Sequence, residues 1–298
     1  MLKDGINGFC MALADSVPGV SGGTVAFIMG FYDNFIGAID YLVFGNRKQK
    51  KQAFVYLMRL AIGWIIGMAI ASMVLSSLFE SHIYVISSIF IGFIAGAIPL
   101  IIWEEKKNLK QRQKGLIFFI LGIFIVVGCT WFNGKTGNTA MNLSLFSFGL
   151  YVKLFFIGMI AISAMFLPGI SGSTMLLIFG AYVPVITAIK NVLSFDLTYV
   201  PGLVVFGLGI ITGALSIVKV IKISLEKHRV QMIYMILGML TGSFYAIIMG
   251  PTTLKVPQTA LNFSNFHVLS AIIGAILVLG MQFMKESSEK NGHRIEIS

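Results

Sequence analysis

Two short stretches carry the residue types with the most chemical potential. Residues 14–24 read ADSVPGVSGGT and residues 167–174 read LPGISGST. Each sets a Pro-Gly pair, then serine, glycine and threonine, in otherwise apolar sequence. Pro18 and Pro168 lack a backbone donor and restrict the residue before them, while Gly19, Gly22, Gly23, Gly169 and Gly172 permit unwound backbone. A helix entering either stretch must break there. The next turns, Ser21-Gly22-Gly23-Thr24 and Ser171-Gly172-Ser173-Thr174, then restart a helix whose first amides, hydroxyls and positive dipole end face the break. Such groups suit an anion such as phosphate, with Pro18, Gly19, Pro168 and Gly169 as the breaks or hinges. Small residues can also serve close helix packing alone; the Pro-Gly pair and its duplication favour a site. Asp15, just before the first break, would either take up a coupling proton or cap a half-helix end. Its counterpart in the second stretch is Met165, which confines any ionisable role to the first.

The duplication is extensive. At an offset of 150, 11 of the 23 positions from Val17 to Ile39 are identical to those from Leu167 to Ile189, among them Pro18/Pro168, Ser21/Ser171, Thr24/Thr174, Gly30/Gly180 and Tyr32/Tyr182. At 146, Gly63/Gly209, Gly67/Gly213, Glu80/Glu226, His82/His228, Gly92/Gly238 and Gly96/Gly242 align. Gly122/Gly274 and Gly128/Gly280 continue the match. The chain therefore reads as two homologous halves, residues 1–150 and 151–298.

The elements that must hold these stretches are membrane helices. The chain has 298 residues, 57% hydrophobic and 11% charged, with a mean hydropathy of +0.89. Residues 60–79, 83–103 and 115–132 each run without a charge for the length that crosses a hydrocarbon layer of about 30 Å. A soluble globule, a disordered chain and a disulfide scaffold are excluded, and Cys10 and Cys129, both in apolar sequence, read as buried thiols. Residues 1–16 hold Asp4 and Asp15 and lack a cleavage pattern, so they are expected in the mature chain. In the first half the broken stretch spans 9–31 and the spans are expected at about 53–79, 83–103 and 114–132. In the second the stretch spans 155–182 and the spans lie at about 198–218, 230–249 and 265–284. Three crossings per half is an odd number, so if each broken stretch leaves on the side it entered, the second half is inserted upside down. The predicted fold is thus an all-α integral membrane protein with two inverted-topology repeats, each a re-entrant broken-helix hairpin plus three transmembrane helices. The alternative is eight to ten full spans.

Charge supports this layout. All but five of the 22 basic residues lie at Lys3 or in runs at 47–51, 106–114, 219–229 and 285–294, and the alternate connections are nearly empty. Such spacing labels the cytoplasmic side, with both termini and the basic loops inside, and does not make a nucleic-acid surface. Arg59 and Lys153 sit near helix ends, where snorkelling is the ordinary reading. Glu80, His82, Glu226 and His228 read as solvated helix ends instead of a metal site or proton relay, and Trp64, Trp103 and Trp131 as interfacial anchors or lipid-facing packing. Gly19-Val20-Ser21-Gly22 has the G-x-S-G form of intramembrane serine proteases, but His82, His228, His267 and His293 all lie at segment ends or in the tail, where no serine can use them. No segment supplies the Lys/Arg cluster and histidine of a lipid phosphatase. The sequence reads as a non-enzyme needing no cofactor and no metal.

The paired motifs, ADSVPGVSGGT…GFY and FLPGISGST…GAY, resemble those of the bacterial polyprenyl-phosphate transporter family over essentially the whole chain. The resemblance implies a translocase of the cytoplasmic membrane that returns undecaprenyl phosphate from the outer to the inner leaflet, recycling the carrier lipid of cell-wall (peptidoglycan) synthesis. It carries the family motif to Asp15, Pro18, Gly19, Ser21, Gly22, Gly23 and Thr24, and to Pro168, Gly169, Ser171, Gly172, Ser173 and Thr174. Under that reading these serines and threonines hold the head group and Arg59 and Lys153 are counter-charges at the two mouths. The partners are the lipid substrate and the bilayer, and a homodimer is compatible with it. A secondary transporter of a small anion and a noncatalytic membrane scaffold are the alternatives.

Overall fold

Backbone amides in hydrocarbon must be satisfied within the chain, and among the described residues the apolar runs achieve this only as helices. The computed structural model describes residues 2–15, 21–106, 109, 112–133, 143, 147–170, 172–253 and 257–290. The helices are α1 (Leu2–Asp15), α2 (Gly22–Ile28), α3 (Tyr32–Phe44), α4 (Arg47–Glu104), α5 (Arg112–Asn133), α6 (Phe148–Phe166), α7 (Gly172–Ile178), α8 (Tyr182–Leu193), α9 (Val200–Lys227), α10 (Arg229–Met249) and α11 (Val268–Lys290). Six segments are long and apolar enough to cross a membrane: Arg47–Ala71 and His82–Glu104 within α4, Gly115–Phe132, Phe148–Phe166, Leu197–Lys227 and Arg229–Thr252. Six is the expected number, but the set differs. Phe148–Phe166, which the sequence pattern assigns in part to the second broken stretch, is one unbroken helix of 19 residues because the apolar run extends back to Ser147 at its cap. The span expected at 265–284 is α11, whose described apolar part, Val268–Gly280, is shorter than a full crossing.

Local chemistry sets the boundaries. Asn46 and Gln49 form a reciprocal capping box that starts α4, each side chain accepting from the other's backbone amide at 2.9 Å. Ser21 caps α2 by accepting from the Thr24 amide at 3.2 Å. Helices α2 and α3 meet at 118°, with Gly30 at φ 72° in the link. Between α7 and α8, Gly180 at φ 66° holds the equivalent place. Helix α4 leaves helical geometry at His82 (φ −135°, ψ 33°), and the corner between α9 and α10 falls at His228 (φ −131°, ψ 40°). Gly30 and Gly180 thus share a left-handed backbone, and His82 and His228 share nearly the same non-helical conformation.

Glycines at the aligned positions let backbones touch. A Cβ on Gly63 would strike the Gly5 carbonyl of α1, and one on Gly209 the Phe155 carbonyl of α6. Likewise Gly92 meets Ala271 of α11, and Gly238 meets Phe119 of α5. The first two contacts stay within a half; the last two cross between halves. The second limb of α4 thus seats α11, and α10 seats α5, so the halves are interlocked. Helix α10 forms the centre, with Ile233, Ile236, Met239 and Leu240 fully buried. The outward faces are apolar, including Ile65, Ile117, Phe124 and Leu269, as a lipid solvent requires.

Candidate functional site

The first motif is stitched together by Asp15. Its carboxylate accepts from the Gly22 amide at 2.6 Å and from the Trp64 indole Nε1 at 2.9 Å, tying the end of α1 to the start of α2 and both to α4. A Cβ on Gly22 would lie 2.8 Å from that carboxylate, which is why glycine follows the serine. Trp64, read from sequence as an interfacial or lipid-facing residue, instead points its polar edge inward. Trp103 and Trp131 are exposed on the outside of the bundle.

Ser21 and Thr24 then face the second motif. Their side chains have no solvent exposure (0% each), and their hydroxyl oxygens are 3.1 Å apart. The Gly169 amide donates to both, at 2.8 Å to Thr24 Oγ1 and 3.2 Å to Ser21 Oγ. Ser21 Oγ also lies 3.4 Å from the Leu167 carbonyl, to which it donates. A Cβ on Gly23 would approach the Phe166 carbonyl at 3.0 Å, so the start of α2 lies directly against the segment that leads into Pro168.

Two residues outside the predicted set hold that segment from its other sides. Tyr32, buried on α3, donates to the Phe166 carbonyl at 2.9 Å. Ser243 of α10 donates to the Met239 carbonyl at 2.9 Å and lies 3.4 Å from the Gly169 carbonyl. Gly169 itself is at φ +88°, and a Cβ there would come 2.7 Å from Ser243 Oγ and 2.9 Å from the Met239 carbonyl. Tyr32 is visible in the sequence as one of the duplicated positions, with Tyr182; nothing in the sequence marks Ser243. Met239 and Ser243 lie about 15 and 21 Å along a span of 24 residues, about 36 Å long, so the junction sits near its mid-depth.

The remaining predicted residues are less closely placed. Pro18, Gly19 and Ser171 lie outside the described residues, as does the side chain of Ser173. Pro168 is buried, Gly172 opens α7, and Thr174 is half-buried on α7. Arg59 is not a bare counter-charge: its guanidinium lies 3.5 Å from the Asp4 carboxylate. Lys153 is exposed near the start of α6, about 20 Å along the helix from Phe166. No group of three His, Cys, Asp or Glu able to hold a metal exists among the described residues.

The centre is therefore a buried cluster of hydroxyls and one amide, walled by helix backbone. Helix α2 has only seven residues, so its dipole is small beside the directed hydroxyls and the Gly169 amide. Such a set can trade hydrogen bonds with an anion's oxygens but has no nucleophile–base pair to break a bond.

Six apolar spans make this a multi-span membrane protein, and the proteins it is similar to place it in a transporter class and not among enzymes. The chain belongs to the VCA0040-like, undecaprenyl phosphate translocase-like family, whose model matches residues 11–265. A polyprenyl-phosphate transporter of Staphylococcus aureus is 34% identical over 248 residues, covering 83% of this chain and 86% of that protein. A polyprenyl-phosphate transporter of Vibrio cholerae is 30% identical over 248 residues, covering 80% and 74%. No solved structure matches the chain.

Proposed function

We propose that this protein carries polyprenyl phosphate across the bacterial cytoplasmic membrane, with the head group received where the two helix breaks meet. The observation that carries this is the buried, mid-depth contact of the Gly169 amide with the Ser21 and Thr24 hydroxyls. An isolated phosphate in hydrocarbon would cost tens of kcal/mol by Born solvation. Hydroxyls and amides that now satisfy one another can be re-aimed at phosphate oxygens, while the isoprenoid tail stays in lipid. Ser171, Gly172, Ser173 and Thr174 of the second motif complete the set, and Pro18, Gly19, Pro168 and Gly169 provide the bends.

The family membership and the names of both relatives support the lipid class. The recurrence of hairpins and bends supports two inverted repeats with re-entrant hairpins, residues 1–150 and 151–298. The gathering of basic runs supports cytoplasmic termini. Direction follows from need: the carrier lipid is released as its phosphate on the outer face during cell-wall synthesis and is reused inside, so net movement runs from outer to inner leaflet. Because the last helix of each half is seated in the other, alternating access does not separate residues 1–150 from 151–298 as rigid bodies. It proceeds by motion of the hairpins α2–α3 and α7–α8 against the interlocked frame. Asp15 acts in this scheme as a cap, holding α1 and α2 together across the break.

Purified protein in liposomes tests the reading. It is expected to accelerate leaflet exchange of a short-chain polyprenyl phosphate, with no effect on the corresponding polyprenol and no competition from millimolar inorganic phosphate. Exchange of the alcohol at the same rate would show a scramblase without a head-group site, and inhibition by free phosphate would favour a small-anion transporter.

A further inference from the structure

The charged residues on the basic face are arranged along α3 in a ladder. Arg229, the first residue of α10, is 3.0 Å from Asp33 and makes a two-point contact with Glu105 at 2.6 and 3.3 Å. Lys222 of α9 is 2.6 Å from Asp40 and lies 4.4 Å from the centroid of the Tyr41 ring. Lys219 lies 5.0 Å from the centroid of the Phe44 ring. Asp33, Asp40/Tyr41 and Phe44 thus meet Arg229, Lys222 and Lys219 in antiparallel order, along nearly the whole length of α3.

This ladder borders a cleft of about 360 Å³ between α3 and the α9–α10 corner, lined in part by Asn34, Tyr41, Lys222, Glu226 and Arg229. The cleft is not a second phosphate site. Its lining carries two carboxylates, Asp33 and Glu226, beside two cations, Lys222 and Arg229, and both cations already hold carboxylates, so it offers an anion no net positive charge.

Its mechanical position is more telling. Helix α3 is bounded by Gly30 at φ 72° and by Gly45, and it follows the helix that bears Thr24 across the 118° bend. Tyr32 and Asp33 are neighbours: the first holds the Phe166 carbonyl in the core, the second holds Arg229 at the face. Displacing Asp33 therefore displaces the group that keeps the second break against Ser21 and Thr24. At the offset of 150 the matching positions of α8 are Val183 and Lys190, so the other hairpin has no carboxylates to repeat the ladder.

We propose that α3 is a gate latched by ion pairs, and that Arg229 with Asp33 and Glu105, and Lys222 with Asp40, are the positioning residues that decide when the Ser21/Thr24 site opens to the basic face. The gate rests on the proposed head-group site, and its test separates the two. In a Cys10→Ser/Cys129→Ser background, Thr24→Cys reports access to a membrane-impermeant maleimide, and exposed Lys48→Cys in a parallel protein marks the basic face. Arg229→Gln is expected to raise alkylation of the introduced thiol about tenfold from the side that labels the Lys48→Cys marker, and not from the other. Unchanged labelling, or equal gains from both sides, would overturn the gate.

A second, independent measurement uses Asp40→Cys/Lys222→Cys with Thr24 intact. A short bifunctional thiosulfonate should stop lipid exchange, and a reductant should restore it. Full exchange in the bridged protein would also overturn the gate. Adding a short-chain polyprenyl phosphate to the alkylation assay distinguishes the parent reading: a latch-dependent thiol that the lipid fails to protect upholds the gate and removes the lipid site. Protection by the lipid with no dependence on Arg229 upholds the site and removes the gate.

Discussion

Thr24→Val is expected to slow leaflet exchange of polyprenyl phosphate about tenfold, and Ser21→Ala with Thr24→Val about a hundredfold or more, since a hydrogen bond to a charged group is worth about 1.5–3 kcal/mol. Valine keeps the shape of threonine and removes only the hydroxyl. In the resting arrangement that hydroxyl accepts the Gly169 amide at 2.8 Å, so the single substitution leaves this amide only Ser21 Oγ at 3.2 Å, and the double variant leaves the buried donor unsatisfied, at about 1–3 kcal/mol. Stability and transport must therefore be read separately, by thermal unfolding in detergent and by exchange in liposomes. Thr24→Ser restores the hydroxyl without the methyl and should recover most of the exchange. A double variant that folds and transports at the normal rate would remove these residues from the head-group path.

Gly169→Ala is expected to be as damaging by a different route. At φ +88° a residue with a Cβ is strained by about 1–3 kcal/mol. The added methyl also meets Ser243 Oγ at 2.7 Å and the Met239 carbonyl at 2.9 Å on the packed face of α10. The segment must shift, and its amide then leaves Ser21 and Thr24. Lower thermal stability and exchange reduced at least about tenfold follow, the latter matching a loss of about 1.4 kcal/mol. Gly169→Ala with Ser243→Ala should recover part of the stability, since it removes the Ser243 clash while leaving the backbone strain and the Met239 contact. A wild-type melting curve for Gly169→Ala alone would show that the break is looser than its geometry implies.

Much of this site is legible in the sequence because proline and glycine act locally. The breaks at 15–24 and 167–174 follow from backbone chemistry, and the repeat makes Gly30 and Gly180, or His82 and His228, recognisable as pairs without sight of their bends. What escapes is non-local. The acceptors that matter are backbone carbonyls, at Phe166, Leu167, Met239 and Gly169, and every residue type carries one, so no pattern announces them. Ser243 is one serine on an apolar helix until Gly169 is beside it. Trp64 has the composition of a membrane anchor; only its distance to Asp15 shows the polar edge in use. The pairing of Arg229 with Asp33 and Glu105 joins residues 196 and 124 positions apart, out of reach of any reading by segment. The interlocking of α11 with α4 and of α5 with α10 escapes for the same reason: glycine periodicity marks a helix face for close contact without naming the partner.

Direct binding is the shortest route to the central claim that the two helix breaks form one head-group site. Affinities of purified wild-type and Ser21→Ala/Thr24→Val proteins for a short-chain polyprenyl phosphate and for its alcohol can be compared by native mass spectrometry. The phosphate is expected to bind the wild type at least about tenfold more tightly than the variant, while the alcohol binds both alike. Equal affinity of the two proteins for the phosphate would contradict the claim.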